Sequence, residues 1–414
     1  MIRIINADCL SALRTLPEKS VNTCITSPPY FGLRDYGAAG QIGLEPTPEE
    51  FVAALVEVFR EVRRVLRDDG TLWLNLGDSY AGSGRGGNPT ANTSTLQGGN
   101  KSQEASMVRR TRNHNEVGAT ARQAATTGHA NRMRSHGELK QKDLIGIPWM
   151  VAFALRADGW YLRQDIIWSK PNPMPESVED RCTKSHEYLF LLSKSETYYY
   201  DQEAIMEPIA AASVARLSQP NLEDQVGSDR VPGNTNGPMK AVSRKSGNIA
   251  RKPSSERGTP SGTGKNQAGN VPWEGTVRNR RSVWTVSTQG FPGQFCTACG
   301  VFFDGAALTR LKTETIKKAG KPDERRRWCL CGRHDAWLSH FATFPPALIE
   351  QCILAGSPED GVVLDPFGGA GTTGLVADRA GRDAILIELN PHFAAMARQR
   401  VEGDAGMFSA VEKW

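Results

Sequence analysis

Two patterns of apolar residues occur along this chain: short apolar runs, which predict strands, and apolar residues at helical spacing, which predict helices. The apolar run at residues 21–26, bounded by polar residues, predicts a buried strand. Apolar residues recur at helical spacing at positions 51, 55, 58, 59, 62, 65 and 66, which predicts a helix over 49–66. Further strands are predicted at 71–76, 165–168, 188–192, 361–365 and 384–388.

Strands that alternate with helices predict an α/β fold with a doubly wound, mostly parallel sheet. The predicted strands lie near both ends of the chain, and long polar segments separate them. We therefore expect one sheet that is assembled from both ends, with the remaining material inserted between.

Two of the inserted segments, 81–140 and 218–270, are rich in Gly, Ser, Asn and Thr and poor in large apolar residues. Such segments bury too little surface to offset their ordering entropy, so we expect them to be mobile until a partner binds. They are also basic: residues 80–142 carry ten Lys or Arg against three acids, and residues 205–282 carry twelve against six. This distribution suits a polyanion such as nucleic acid, although solubility alone would also explain it.

A glycine-rich turn follows the strand at 361–365 and precedes a predicted helix. Glycines let the backbone pass close to a ligand, and the free N–H groups at a helix start favour polar or anionic groups. Glu388 ends the next predicted strand, where a carboxylate can accept both hydroxyls of a ribose. The pattern predicts a cofactor site, although a structural turn or a dinucleotide site remains an alternative.

A second candidate site, Ser27-Pro28-Pro29-Tyr30, directly follows the strand at 21–26. Two prolines fix the backbone and remove two N–H donors, which leaves nearby oxygens free to accept hydrogen bonds from a base amine. The tyrosine offers a stacking face for a base extruded from a duplex. A rigid surface turn is the alternative interpretation.

Together these segments resemble the amino-methyltransferases that modify DNA. Asp-Pro-Phe-Gly-Gly-Ala-Gly-Thr-Thr-Gly from Asp365 resembles their motif I, Ser27–Tyr30 their motif IV, and His340–Pro345 their motif X. Motif IV precedes motif I, which is the permuted order of the beta class. The resemblance covers about 1–80, 143–205 and 281–403, and it includes the stretch from Asp165 to Pro173, which resembles the strand and loop that line the base pocket.

The resemblance implies a seven-stranded, Rossmann-like methyltransferase sheet that binds S-adenosylmethionine. The catalytic residues that it implies are Ser27, Pro28, Pro29 and Tyr30. The cofactor-binding residues are Asp8, His340, Thr343, Phe344, Asp365, Phe367, Gly369, Gly371, Thr372, Glu388 and Asn390. Among them, Asp365, Phe367, Gly369 and Gly371 would surround the methionine portion, Glu388 would hold the ribose, and Asp8 would face the adenine.

The resemblance leaves the substrate base open. Serine at the first position of motif IV is more typical of members that methylate cytosine N4, and aspartate of members that methylate adenine N6. We favour cytosine N4 and keep adenine N6 as the alternative. Methylation of RNA or of a protein glutamine, or a catalytically silent nucleic-acid-binding protein, are further alternatives.

Four of the eight cysteines form two close pairs, Cys296/Cys299 and Cys329/Cys331, each followed by glycine. Four thiolates would complete a closed tetrahedral site of the kind that structural zinc prefers. The second pair is one residue tighter than the usual spacing, His334 is a spare ligand candidate, and unliganded thiols are the alternative. We predict a structural zinc.

These observations predict five segments and one cellular setting. We expect the following: 1–80, the catalytic half; 81–142, a flexible basic insertion; 143–205, the methyltransferase domain continued; 206–339, a target-recognition region with a flexible stretch at 218–270 and a zinc module at 290–335; and 340–414, the cofactor-binding half. The chain opens without a signal peptide and has no run of about 18 apolar residues, so we expect a cytoplasmic protein without a membrane span. The expected partner is double-stranded DNA, and a companion restriction endonuclease is a further expectation.

Overall fold

The computed structural model describes residues 1–33, 38, 40–81, 139–217, 242–243, 271–272, 277–317, 324–339, 344–405 and 411–413. These residues form two compact units. The larger unit comprises Met1–Asp201 and Arg281–Trp414, and the smaller comprises Gln202–Arg280. Most of both predicted flexible segments lies outside the described residues, and the predicted domain boundaries stay a prediction.

The larger unit contains seven of the eight described α-helices and most of the strands. Its helices are α1 (Cys9–Thr15), α2 (Pro48–Val65), α3 (Ile147–Ala157), α5 (Gly305–Arg310), α6 (Pro346–Gly356), α7 (Thr372–Arg379) and α8 (Pro391–Ala405); α4 (Ala211–Leu217) belongs to the smaller unit. Its strands are β1 (Ile2–Asn6), β2 (Val21–Thr26), β3 (Leu66–Leu76), β4 (Tyr161–Ser169), β5 (His186–Ser193), β10 (Val283–Thr285), β11 (Gly293–Cys296), β12 (Val301–Asp304), β13 (Thr313–Ile316), β14 (Glu324–Arg327), β15 (Trp337–Leu338), β16 (Val362–Asp365), β17 (Asp383–Glu388) and β18 (Val411–Lys413).

The central sheet has nine strands in the order β10-β4-β5-β3-β2-β16-β17-β1-β18. Only β5 runs antiparallel to its neighbours, β3 and β4, and the other described pairings in this sheet are parallel. The predicted α/β fold with a mostly parallel sheet is therefore confirmed. The six strands predicted from the apolar pattern and β1 form the seven-stranded centre that the resemblance implied, and the short strands β10 and β18 extend its two edges.

Helix α2 shows how the apolar pattern becomes packing. The hydroxyl of Thr47 caps the helix by accepting a hydrogen bond from the Glu50 backbone N–H at 3.2 Å, and Pro48 occupies the first turn. Phe51 and Phe59 lie on its apolar face and are fully buried, and burial of each such side chain contributes roughly 1.5–3 kcal/mol. The helix ends at Val65, one residue before the predicted end, because the next residue already belongs to β3.

The smaller unit is built from short elements. It contains a 3-10 helix at Glu203–Ile205, helix α4, and the strands β6 (Glu207–Pro208), β7 (Val242–Ser243), β8 (Val271–Pro272) and β9 (Val277–Arg278). Strand β6 pairs with β9, and β7 with β8, both antiparallel. None of the helices in the described part of the chain is long and apolar enough to cross a membrane.

The four clustered cysteines lie in a small module of the larger unit, which we call the cysteine ribbon and define as residues 293–338. Strands β12, β11 and β15 form a three-stranded sheet, and β13 pairs with β14 as an antiparallel hairpin. Phe303, Leu308 and Leu311 pack with Cys296 and Cys329 in a separate small core. The ribbon therefore has its own apolar centre, immediately beside the cysteines.

One buried carboxylate joins the ends of two neighbouring strands. Asp365 ends β16, is 2% exposed, and accepts a hydrogen bond at 2.6 Å from the hydroxyl of Thr26, the last residue of β2. It also accepts hydrogen bonds from the Thr373 hydroxyl at 2.6 Å and from the Phe367 backbone N–H at 3.1 Å. A single side chain thus ties the chain before Ser27 to the turn and helix that follow β16.

We expect Asp365→Ala to destabilise the protein by about 2–4 kcal/mol, because it leaves two buried hydroxyls and one N–H without their acceptor. Chemical denaturation of the full-length protein would measure this loss. Thr373→Val removes only one of the three hydrogen bonds and should cost clearly less. An Asp365→Ala protein as stable as the wild type would contradict the assigned role.

Candidate active site

The carboxyl ends of the parallel strands meet at one edge of the sheet, where α/β proteins bind their ligands. The residues that follow β1, β2, β16 and β17 at this edge line one cavity of about 1430 Å³. The predicted site residues on its wall are Asp8, Ser27, Pro28, Pro29, Tyr30, Phe344, Asp365, Phe367, Gly369, Thr372, Glu388 and Asn390. The structure therefore brings the two predicted loops to one site.

The turn after β16 has the backbone geometry that its glycines predict. Gly369 and Gly371 have φ angles of +51° and +78°, in the left-handed region that favours glycine. A Cβ added to Gly371 would lie 2.8 Å from the Cβ of Ala397 in α8, so the turn and this helix are in close contact. Helix α7 begins directly afterwards, at Thr372, which lines the cavity.

Glu388 supports this turn as well as facing the cavity. One of its carboxylate oxygens accepts a hydrogen bond from the Gly369 backbone N–H at 2.8 Å, and the other accepts one from the Asn390 backbone N–H at 2.8 Å. Burial raises the pKa of Glu388 from its ordinary value near 4.5 to about 7. Near pH 7 the Glu388 carboxyl is therefore only about half charged, and hydroxyls that donate to it would favour the charged form.

Three further predicted cofactor residues also have structural partners. Asp8 caps α1 by accepting hydrogen bonds from the backbone N–H of Ser11 at 2.9 Å and from its hydroxyl at 3.0 Å. The side chain of Asn390 accepts a hydrogen bond from the His392 backbone N–H at 2.9 Å, in the first turn of α8. The carboxylate of Asp365 is engaged as described above, and burial raises its pKa. These bonds fix the loops that carry the three residues.

The predicted motif X is only partly described. Phe344 lines the cavity and is half-buried. His340 and Thr343 lie outside the described residues, so their predicted contacts with the cofactor stay predictions.

In the loop after β2, the tyrosine side chain is held at both its ring and its hydroxyl. A Cβ added to Gly77 would lie 2.5 Å from Cε2 of Tyr30, so the ring packs directly on this glycine. The Tyr30 hydroxyl donates to a carboxylate oxygen of Glu187 at 2.7 Å and lies 3.2 Å from Oδ1 of Asn75. The Ser27 hydroxyl lies 3.5 Å from that of Tyr30 and faces the same cavity.

Glu187 is the main site residue that the sequence analysis missed. It lies near the beginning of β5, and because β5 is antiparallel, its beginning meets the carboxyl ends of the parallel strands. Glu187 forms an ion pair with Lys170 and also accepts a hydrogen bond from the Asn75 side-chain amide at 3.2 Å. The Lys170 ammonium lies 4.2 Å from the centre of the Trp168 ring, within range of a cation–π contact. The only signal in the sequence was a carboxylate beside an apolar run.

Three consecutive arginines of β14 line the same cavity. Arg325 is exposed, and Arg326 and Arg327 are half-buried. The Arg327 guanidinium donates to the side chain of Gln294 at 2.8 Å, and its backbone carbonyl accepts a hydrogen bond from the Trp337 indole at 2.9 Å. The cysteine ribbon thus brings positive charge to the wall of the cavity, and no pattern in the sequence predicts this placement.

The four predicted metal ligands come together in the ribbon. Their sulfur atoms all lie within 4.8 Å of one another, with Cys296 and Cys331 at 3.7 Å and Cys299 and Cys329 at 3.5 Å. Tetrahedral Zn²⁺ with bonds of about 2.3 Å requires sulfur atoms about 3.8 Å apart. The four thiols therefore fit a zinc ion in number, chemistry and spacing.

The two cysteine pairs lie in turns of similar geometry, whereas His334 lies outside the cluster. Gly300 and Gly332 have φ angles of +72° and +83°, and each donates its backbone N–H to the carbonyl of the first cysteine of its pair, at 2.8 and 2.9 Å. His334 packs on Trp328, with ring centres 4.7 Å apart, and is not part of the sulfur cluster.

Comparison with known proteins agrees with this architecture. A family model described as DNA methylase, for N6 and N4 methyltransferases, matches residues 21–399. The Type II methyltransferase M.SmaI of Serratia marcescens is 35% identical over 399 residues, covering 96% of this chain and 90% of the relative. M.Cfr9I of Citrobacter freundii is 36% identical over 401 residues, covering 97% and 88%.

Among solved structures, the cytosine-N4-specific PvuII DNA methyltransferase superposes with a TM-score of 0.49 at 16% identity, covering 97% of this chain and 86% of that chain. The match to the family model and to full-length relatives confirms the resemblance inferred from the motifs. The chain belongs to the DNA methylase family of N6 and N4 amino-methyltransferases, and it is an S-adenosylmethionine-dependent DNA methyltransferase.

Proposed function

We propose that this enzyme transfers a methyl group from S-adenosylmethionine to N4 of a cytosine that is extruded from double-stranded DNA. The observation that carries the proposal is the hydrogen bond between Thr26 and Asp365, because it holds the Ser27–Tyr30 loop beside the glycine turn in one cavity. Serine at position 27 favours cytosine N4 as the substrate.

The main contribution of the protein to this reaction is to align the base amine with the methyl group. S-adenosylmethionine supplies an activated methyl group, so no covalent intermediate with the protein is required. Pro28 and Pro29 have no N–H donors, and the oxygens that they leave free can accept hydrogen bonds from the base amine. Such bonds draw the nitrogen lone pair out of the ring, and orientation of the amine towards the methyl group then lowers the barrier.

Tyr30 provides the aromatic surface for the extruded base. Its ring is backed by Gly77 and its hydroxyl is bound to Glu187, so its orientation is set before a base arrives. A preorganised ring loses little conformational entropy on stacking. Glu187 and Lys170 line the same part of the cavity and provide polar groups for the edge of the base.

The cofactor would occupy the other end of the cavity. The backbone at Gly369, on the cavity wall, lets a ligand approach closely, and the carboxylate of Glu388 is the acceptor for the ribose hydroxyls. The predicted contact of Gly371 is less direct, because this residue packs on α8. Asp8, Phe344, Asp365, Phe367, Thr372 and Asn390 are the other predicted contacts on the cavity wall, and the predicted contacts of His340 and Thr343 lie outside the described residues.

We also propose that the cysteine ribbon holds a structural zinc and belongs to the DNA-recognition part of the enzyme. The sulfur spacing supports the metal, and Arg325–Arg327 on the cavity wall support contact with DNA phosphates or base edges. We further propose an intracellular setting and a companion restriction endonuclease, because the relatives are Type II methyltransferases.

The base assignment predicts one product. The full-length enzyme is incubated with S-adenosylmethionine carrying a labelled methyl group and with unmethylated duplex DNA of mixed sequence, and the DNA is then hydrolysed to nucleosides. We expect N4-methyldeoxycytidine, and Tyr30→Ala should lower the rate about 10-fold or more through lost stacking. N6-methyldeoxyadenosine as the product would overturn the choice of base.

The raised pKa of Glu388 predicts a pH dependence of cofactor binding. Since ribose hydroxyls need the charged carboxylate, lowering the pH from 8 to 6 passes through the pKa of about 7 and should weaken binding about 10-fold. Isothermal titration calorimetry at several pH values measures this change. Glu388→Gln should bind weakly with little dependence on pH; an unchanged pH dependence in that variant would rule out Glu388 as the cause.

The raised pKa of Glu388 also affects the free energy of unfolding of the protein without cofactor. Cofactor binding should strengthen as the pH rises, whereas this contribution to stability should decrease. Because the folded pKa lies above the unfolded value, the folded protein without cofactor binds more protons between about pH 4.5 and 7 than the unfolded chain does. Its Glu388 contribution to stability therefore decreases as the pH rises through this window.

The zinc assignment predicts one metal ion per chain in protein purified without chelator. The double variant Cys299→Ser, Cys331→Ser should lose the metal and unfold at a lower temperature. Cys182→Ser is the matched control, because this exposed cysteine lies outside the cluster, and it should keep the metal. Metal-free wild-type protein with an unchanged melting temperature in chelator would refute the site.

A further inference from the structure

Helix α8 lies between the glycine turn of the active site and the cysteine ribbon. Residues 393, 396, 397, 399 and 400 follow helical spacing, and they contact the turn, the ribbon or both. The helix is therefore a mechanical link between two parts of the molecule that have separate chemistry.

An apolar layer forms the first part of this link. Phe295 of the ribbon is 1% exposed and packs with Phe393 and Met396 of α8 and with Ala370 of the glycine turn. Phe295 immediately precedes Cys296, one of the four clustered cysteines. The position of this aromatic ring is thus coupled to the geometry of the sulfur cluster.

A pair of hydrogen bonds forms the second part. The side-chain amide of Gln399 donates to the backbone carbonyl of Gly300 at 2.6 Å and accepts from the backbone N–H of Phe302 at 2.7 Å. Gly300 directly follows Cys299. Gln399 therefore connects α8 to the turn at Cys296–Gly300 through one hydrogen bond that it donates and one that it accepts.

Arg400 connects the same helix to the active site. Its guanidinium donates to the backbone carbonyl of Ala370, lies 3.4 Å from the Thr372 hydroxyl, and is 5.0 Å from the centre of the Phe291 ring. Gly371 packs so tightly on Ala397 that an added Cβ would lie at 2.8 Å. These contacts couple the position of α8 to that of the turn.

We propose that the cysteine ribbon positions the glycine turn through α8, with Gln399 and Phe295 as positioning residues for the binding of S-adenosylmethionine. This inference rests on the proposed cofactor role of the turn. A turn with two residues in the left-handed region has little intrinsic preference for one shape, so its neighbours must fix it. The ribbon fixes it from outside the helix, and a metal on the four thiols would fix the ribbon.

The test is the affinity of the full-length protein for S-adenosylmethionine, measured by calorimetry without DNA. Gln399→Ala should weaken binding about 5-fold or more, since it removes both bonds to the ribbon. Gln399→Glu keeps an acceptor for Phe302 but places a carboxylate oxygen against the Gly300 carbonyl, so it should weaken binding at least as much as Gln399→Ala. Glu402→Ala, an exposed position on the same helix, is the matched control and should bind like the wild type.

A second pair of variants guards against general misfolding. Phe295→Leu preserves most of the apolar contact and should bind more tightly than Phe295→Ala. For each variant the KM for DNA is measured beside the Kd for the cofactor, because a positioning role moves the cofactor Kd more than the KM for DNA. Unchanged cofactor affinity in both Gln399→Ala and Phe295→Ala would overturn the proposal, as would equal losses in both constants.

The metal provides an independent comparison. If the ribbon works through the sulfur cluster, Cys299→Ser with Cys331→Ser should weaken cofactor binding in the same way as Gln399→Ala. A double cysteine variant that loses zinc but keeps wild-type cofactor affinity would overturn the role of the metal in the link. Failure of the proposed cofactor site has a different signature, because the wild type itself would then not bind S-adenosylmethionine.

Discussion

The candidate active site depends on Asp365, a carboxylate that is almost completely buried. Asp365 accepts hydrogen bonds from Thr26, Thr373 and the Phe367 backbone, and each donor belongs to a different part of the site. Burial of a carboxylate is costly unless its oxygens are satisfied, so these three donors and the carboxylate require one another. The Ser27–Tyr30 loop and the glycine turn are separated by more than 300 residues in the chain, yet this one group fixes their relative position.

The antiparallel direction of β5 determines which side chains surround Tyr30 in the cavity. Because β5 runs antiparallel to its neighbours, its first residues meet the last residues of β3 and β4. Glu187 can then bind Tyr30 and Lys170 together. A parallel strand at this place would present the opposite end of its sequence to the site. The orientation of Tyr30 is therefore a property of sheet topology as well as of the loop that contains it.

Several polar residues at the carboxyl edge of the sheet make hydrogen bonds within the protein itself, without a ligand. Asp8 and Asn390 cap helices, and Glu388 holds the N–H groups of Gly369 and Asn390. Each carboxylate or amide oxygen has more than one lone pair, so a residue can hold its own loop and still accept a bond from a ligand. In this arrangement the backbone of the site is fixed first, and the ligand meets groups that are already oriented.

The sequence alone determined the elements and the local motifs. The apolar periods predicted β2, α2, β16 and β17 within a few residues, because burial on one face imposes such a pattern, and the glycine turn and the Ser27–Tyr30 loop were recognisable because their constraints are local. Glu187, Asn75 and Arg325–Arg327 could not be predicted, since their place depends on strand direction and on the folding of the ribbon against the sheet. The same holds for Gln399, whose partners lie about 100 residues away. Local covalent and steric preferences are written in neighbouring residues, whereas long-range contacts exist only after the chain has packed.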